Sequence, residues 1–112
     1  MKKDDSIYLD HIMDAVNQIT RYTTGLAQEE FLENRLVQDA VVRQFTILGE
    51  AAKKVSPEYK QRFPGIEWKS LAGFRDVLVH DYDGIDLWEV WRIVRHDLPT
   101  LRQKIEKAIG SL

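Results

Sequence analysis

The stretch that decides the fold is Arg35-Leu36-Val37-Gln38-Asp39-Ala40-Val41-Val42-Arg43-Gln44-Phe45-Thr46-Ile47-Leu48-Gly49-Glu50-Ala51-Ala52-Lys53-Lys54-Val55. Val37, Val41, Phe45, Leu48, Ala52 and Val55 recur at three- and four-residue steps, which is the period of one helix face. Leu36, Ala40, Ile47 and Ala51 widen that stripe, so the helix is expected to bury more than one side. Asn34 is the expected N-cap. At 1.5 Å per residue the helix is roughly 31 Å long. A chain of this size has a radius of gyration of about 13 Å. This helix is therefore expected to cross the whole domain and act as its spine.

The same period runs outward on both sides. Ile12, Ala15, Val16, Ile19 and Tyr22 mark an amphipathic helix over residues 5–22, with Asp4, Asp5 and Ser6 as candidate caps and Gly25 as a left-handed stop. Residues 28–33 read as a short, loosely held helix or loop. Ser56-Pro57 is a cap followed by proline at the first helical position, which predicts a one- or two-turn helix through Arg62. Pro64-Gly65 is a turn. Leu71, Phe74, Val77 and Leu78 place a further helix over residues 67–81, ended by Tyr82-Asp83-Gly84. Asp86 caps a helix carrying Leu87, Trp88, Trp91, Val94 and Leu98. Pro99 is expected to kink or restart it, and Gly110 to stop it. Trp88 and Trp91 read as core or dimer anchors. No strand pattern occurs. The expectation is one all-α domain over residues 1–112, a bundle of four or five main helices.

Composition narrows the function. The 112 residues include no cysteine. This excludes disulfides, cysteine-ligated metals and thiol catalysis. No His-x3-His or His-Glu-x-x-His spacing joins the histidines His11, His80 and His96, so no metal site is expected, and no cofactor. His11 and His96 read as surface or capping groups. No phosphate-cradling glycine loop occurs. No apolar run is long enough for a membrane span, and the N-terminus has no signal-peptide core, so a cytoplasmic protein is expected. The net charge is −2. Residues 1–40 carry 4 basic and 8 acidic side chains, and residues 41–112 carry 12 and 10. Arg92, Arg95, Arg102, Lys104 and Lys107 form a modest candidate basic patch.

One segment concentrates chemistry: Gly73-Phe74-Arg75-Asp76-Val77-Leu78-Val79-His80-Asp81-Tyr82. Asp76 and His80 lie at i, i+4 on one helix face, where a carboxylate can orient an imidazole. Arg75 and His80 are five positions apart, about 140° around an ideal helix. To converge, either the helix ends before His80, or the arginine wraps round, or two copies of the segment face each other. A plainer reading has Arg75 paired with Asp81, His80 at the helix C-terminus and Tyr82 packed over the helix end. Gly49 is expected to permit close helix packing. Glu50 can pair with Arg43 or with Lys54, the latter in the favourable order.

The segment resembles the Arg-x4-His-x-Tyr motif of the HepT-like toxins of the HEPN superfamily, with Arg75, His80 and Tyr82 in its three places. The resemblance extends to Gln38-Asp39-Ala40-Val41-Val42-Arg43, to Ile47-Leu48-Gly49-Glu50-Ala51-Ala52-Lys53, to Trp68 with the Phe74-Arg75-Asp76 lead-in, and to Asp86-Leu87-Trp88. It implies a homodimeric HEPN-type helical bundle and a metal-independent endoribonuclease acting on tRNA or mRNA. It further implies a toxin neutralised by a minimal nucleotidyltransferase antitoxin that can adenylylate Tyr82. On that basis Arg75 and His80 are the catalytic candidates, Asp76 and Glu50 supporting candidates, with Asp76 orienting His80 or Arg75, and Tyr82 the modification site. The alternative is a non-catalytic HEPN subunit that serves a nucleotidyltransferase as its partner.

Overall fold

The architecture is described from a computed structural model, covering residues 3–111 apart from the side chains of Lys3, Asp4 and Tyr82. The helices are α1 (Lys3–Thr23), α2 (Gln28–Glu33), α3 (Arg35–Lys54), α4 (Pro57–Arg62), α5 (Trp68–His80), α6 (Leu87–Arg92) and α7 (Leu98–Gly110). A single 3-10 turn, Tyr82–Gly84, separates α5 from α6, and a π-helical turn, Ile93–Asp97, joins α6 to α7. No strand occurs among the described residues. The domain measures 43 × 29 × 19 Å.

The spine forms as its sequence dictates. Asn34 Oδ1 accepts from the Val37 N–H at 3.1 Å and starts α3. Val41, Phe45, Leu48, Ala51 and Ala52 are buried. α1 packs along one side of α3 and α5 along another, while α7 lies on α1. Two-sided burial accounts for the wide apolar stripe. Leu36 is the exception at 81% exposed.

One expectation changes and two become specific. Asp5 does not cap α1 but lies within it, and its buried carboxylate reaches across to the α3–α4 corner. There it accepts from the Ser56 N–H (2.8 Å) and from the Ser56 hydroxyl (2.7 Å). Ser56 Oγ in turn accepts from the Tyr59 N–H, so one serine caps α4 and ties it to α1. Tyr59 completes the link by donating its hydroxyl to the Ala108 carbonyl of α7 at 2.9 Å. The Asp4 side chain, also a cap candidate, lies outside the described residues. Second, α2 is a defined helix. Glu30 accepts from the Ala27 N–H at 2.8 Å, and Phe31 stacks on Trp91 of α6 with centroids 5.0 Å apart. Third, the helix restarts at Pro99 as expected: α7 opens at Leu98 with the proline in its first turn, after one π-helical turn. Proline has no N–H, and its ring would meet the carbonyl four residues back. The chain absorbs this by widening one turn: the Leu98 N–H donates to the Ile93 carbonyl, five residues back. Arg92 clamps the wide turn, bonding Glu89 on one side and lying 3.2 Å from Asp97 on the other.

Gly25 adopts φ +80° after α1, the left-handed stop expected of it. Gly49 has a different role. A Cβ there would overlap the Cβ of Arg75 and lie 2.8 Å from the Leu71 carbonyl oxygen. The missing side chain is what allows α5 to seat on α3.

Gly49→Ala should therefore cost about 1–3 kcal/mol, the usual range for overpacking. Gly73→Ala, on the exposed face of the same α5 with nothing within 4 Å, should gain up to about 1 kcal/mol from helix propensity. Chemical denaturation of the two variants checks both signs.

Candidate active site

The close crossing at Gly49 decides where Arg75 goes. Its stem lies against the α3 backbone, so its guanidinium emerges beside the next residue, Glu50. Arg75 Nη2 is 3.1 Å from Glu50 Oε2, and Nη1 donates to Asp76 Oδ1 at 3.0 Å. The Arg75 Nε–H is buried and meets no acceptor among the described residues. A guanidinium fixed at two corners keeps its plane and direction, which suits recognition of a phosphate.

The cluster extends along α3. Lys53 Nζ donates to the same Asp76 Oδ1 at 3.4 Å, and Lys54 Nζ lies 3.9 Å from Glu50 Oε1. Glu50 thus takes the predicted Lys54 partner and adds Arg75, which no spacing rule could find across 25 positions. Asp76 remains ionised below the usual carboxylate range, held there first by its hydrogen bond from Arg75 and then by Lys53. The sign follows: the Arg75–Asp76 pair is complete above the ordinary aspartate value and is lost only as pH falls through the lowered one.

Two parts of the sequence reading are revised. Arg75 pairs with Glu50 and Asp76, not with Asp81. The Asp81 carboxylate instead folds over Gly84, where a Cβ would come within 3.0 Å of it. Asp76 spends its hydrogen-bonding capacity on Arg75 and Lys53, and no bond joins it to His80 among the described residues. His80 is exposed, and α5 remains helical through it, with the Asp81 N–H donating to the Val77 carbonyl. The helix therefore does not end before His80, and Arg75 and His80 leave one rigid helix in different directions. Tyr82 opens the 3-10 turn directly after them, and its side chain lies outside the described residues. His11 and His96 are exposed, as expected.

The surroundings are apolar and open. Val77 and Val79, which flank Leu78 on α5, are 53% and 40% exposed, and Trp88 on α6 is 63% exposed. Trp91 is a core residue; Trp88 is not. A groove of about 290 Å³ lies between α3, α5 and α7, floored by Phe45, Leu48, Leu71, Phe74 and Leu101. The C-terminal basic patch is largely occupied. Arg92 is held by Glu89 and Asp97, Arg95 stacks on Trp91, Arg102 reaches Thr20, and Lys104 donates to the Gly65 carbonyl. Among the described residues, no group of three histidine or carboxylate side chains is placed to hold a metal ion. No described helix is long and apolar enough to cross a membrane.

The fold is thus all-α, with an arginine braced between two carboxylates ahead of an exposed histidine on one helix. Residues 12–108 match the profile of the family described as ribonuclease HepT-like, and the chain belongs to that family. It is 38% identical over its full length to "Gamma-glutamylcyclotransferase and putative RNase MJ0434" of Methanocaldococcus jannaschii, of which it spans 50%. It is 37% identical over 96% of its length to "Probable ribonuclease HepT" of Thermococcus cleftensis, covering 97% of that protein. It is 32% identical over 94% of its length to "Putative RNase MJ1380" of Methanocaldococcus jannaschii, covering 96% of it. No solved structure matches the chain significantly.

The bracing of Asp76 can be read directly. In an NMR titration of the carboxyl carbons, Asp76 should titrate below the ordinary aspartate range in the wild type. In Arg75→Ala its midpoint should rise towards the ordinary value. An unchanged midpoint would show that the ion pair does not form in solution.

Proposed function

We propose that the chain is a metal-independent endoribonuclease that works as a homodimer and is the toxin of a toxin–antitoxin pair. The observation that carries this reading is the braced Arg75 guanidinium on the same helix as an exposed His80, in a member of the HepT-like family. RNA cleavage without a metal needs a group that moves a proton and a group that meets charge at the phosphate. An imidazole serves the first need near neutral pH. In this reading His80 takes the proton of a ribose 2′-hydroxyl or returns one to the leaving 5′-oxygen. Arg75 binds the non-bridging phosphate oxygens, where charge grows in the transition state. The 2′-oxygen bonds to phosphorus as the bond to the 5′-oxygen breaks, giving a 2′,3′-cyclic phosphate and a free 5′-hydroxyl. Glu50 and Asp76 are positioning residues that act through Arg75.

Three features support a second copy. The unbroken α5 sends Arg75 and His80 to different sides. α5 packs on α3 among the long helices, and its Val77 and Val79 side chains remain exposed. Val77, Val79 and Trp88 leave apolar surface beside the site. A facing subunit would cover that surface and bring one chain's arginine to the other chain's histidine.

Purified wild-type protein should cleave RNA in the presence of EDTA. Arg75→Ala and His80→Ala should each lose at least about 100-fold in rate, the scale of one acid–base or electrostatic contribution. Mixing the two dead variants should restore part of the activity, since a mixed dimer regains one complete Arg75/His80 site. Unchanged activity in both variants would overturn the catalytic assignment, and no recovery on mixing would overturn the shared cleft.

In this reading, which rests on the resemblance to HepT-like toxins, a nucleotidyltransferase antitoxin controls the enzyme through Tyr82, two residues beyond His80. Attack of its phenolic oxygen on the α-phosphate of a nucleoside triphosphate, with loss of pyrophosphate, would place a bulky anion beside the phosphate path and repel RNA. Incubation with the partner enzyme and ATP should add AMP to the wild type and not to Tyr82→Phe, as read by intact mass. An equal gain in the mutant would place the modification elsewhere.

A further inference from the structure

The braced arginine raises an electrostatic problem. Glu50 and Asp76 both lie against Arg75, so the guanidinium alone sits in a locally negative setting that would repel a phosphate. The charge balance turns positive only when Lys53 and Lys54 are counted. The two lysines are not equivalent. Lys54 turns towards α1, lying 5.9 Å from the centroid of the Tyr8 ring as well as near Glu50. Lys53 faces α5 and shares one oxygen, Asp76 Oδ1, with Arg75. The two cationic groups are thus held side by side by a single acceptor.

Their attachments also differ in strength. Arg75 is bound by two carboxylates, and its side chain is 22% exposed. Lys53 holds one long contact, with both partners more than 40% exposed. Such an exposed pair contributes little and exchanges readily for another anion. The C-terminal cations cannot fill this role from where they stand. Arg92 is paired twice on α6, and Lys104 binds the Gly65 carbonyl near the start of α5. α5 has 13 residues, so that end lies roughly 18 Å from His80.

We infer that Lys53 is a phosphate-binding residue: it leaves Asp76 on substrate entry and holds an RNA phosphate adjacent to the one bound by Arg75, so that the strand runs along the α3–α5 ridge. This rests on the ribonuclease reading above. The phosphate replaces Asp76 as the acceptor for the lysine, while Asp76 keeps its bond from Arg75. No covalent step is involved.

The test uses the full chain and a single-stranded 2′-O-methyl oligoribonucleotide, which binds but cannot be cleaved through its 2′-oxygen. Each phosphate neutralised in single-stranded RNA contributes about 0.7 to the slope of log affinity against log salt. Lys53→Gln should lower that slope by about 0.7 and weaken binding several-fold at low salt. Lys53→Arg should keep both near the wild-type values, and Lys104→Gln should leave the slope unchanged. With cleavable RNA, Lys53→Gln should raise KM more than it lowers kcat, which mere loosening of the fold would not do. A wild-type slope in Lys53→Gln, beside normal cleavage by the wild type, overturns the assignment of Lys53 and leaves the ribonuclease reading standing. An equal loss of slope in Lys104→Gln overturns it too, because the effect would then be one of general charge. A wild-type protein that neither binds nor cleaves RNA overturns both.

Discussion

The absence of one side chain sets the geometry of this protein. At Gly49 the backbone of α3 is bare, and α5 comes down on it until the Leu71 carbonyl and the Arg75 stem occupy the space a Cβ would need. That contact fixes how close the two helices lie. It also fixes the point at which Arg75 emerges, since the residue after Gly49 is Glu50 and the residue after Arg75 is Asp76. The ion pairs are a consequence of the close crossing. With the helices further apart, the same side chains would be solvated surface groups of little energetic weight.

From that crossing the site acquires its particular electrostatics. An arginine bound at both Nη atoms is oriented before any ligand arrives, which reduces the cost of ordering it on binding. The same carboxylates that orient it lower the local positive potential. Lys53 and Lys54, each about one turn beyond Glu50 on the same helix, restore it. The near-neutral composition thus hides a local arrangement in which each acidic group is matched by a neighbouring cation. Along α6 and α7 the opposite holds: Arg92, Arg102 and Lys104 serve to fasten the π turn, α1 and the Gly65 loop.

Much of this was legible in the residues. The apolar period located α1, α3 and α5, and short polar signals located their ends. Asn34, Ser56 and Asp86 all cap where their chemistry says they should, because capping depends on neighbours within three residues. The Arg75–His80 segment stood out by its composition. Errors arose where a side chain has a distant partner. Asp5 looked like a helix cap and is a buried tie to Ser56, 51 positions away. Of the two groups Asp76 is expected to orient, His80 and Arg75, it bonds Arg75, and it adds Lys53 from 23 positions away. Pro99 stands where the helix restarts, as its chemistry predicts, and the widened turn ahead of it is what the local pattern does not encode.

The sequence by itself determined the helices, their caps and the clustering of an arginine, a histidine and a tyrosine in one segment, since all of these rest on interactions between residues close in the chain. Only the tertiary structure decided that the helix seated on Gly49, expected to permit close packing, is α5, that Arg75 is braced by Glu50 and Asp76, and that Lys53 stands beside it. Apart from the bond between the neighbours Arg75 and Asp76, those contacts join residues 22 or more positions apart, and no local periodicity encodes the angle and depth at which two helices cross. That depth is set by which side chains are small enough to let backbones meet.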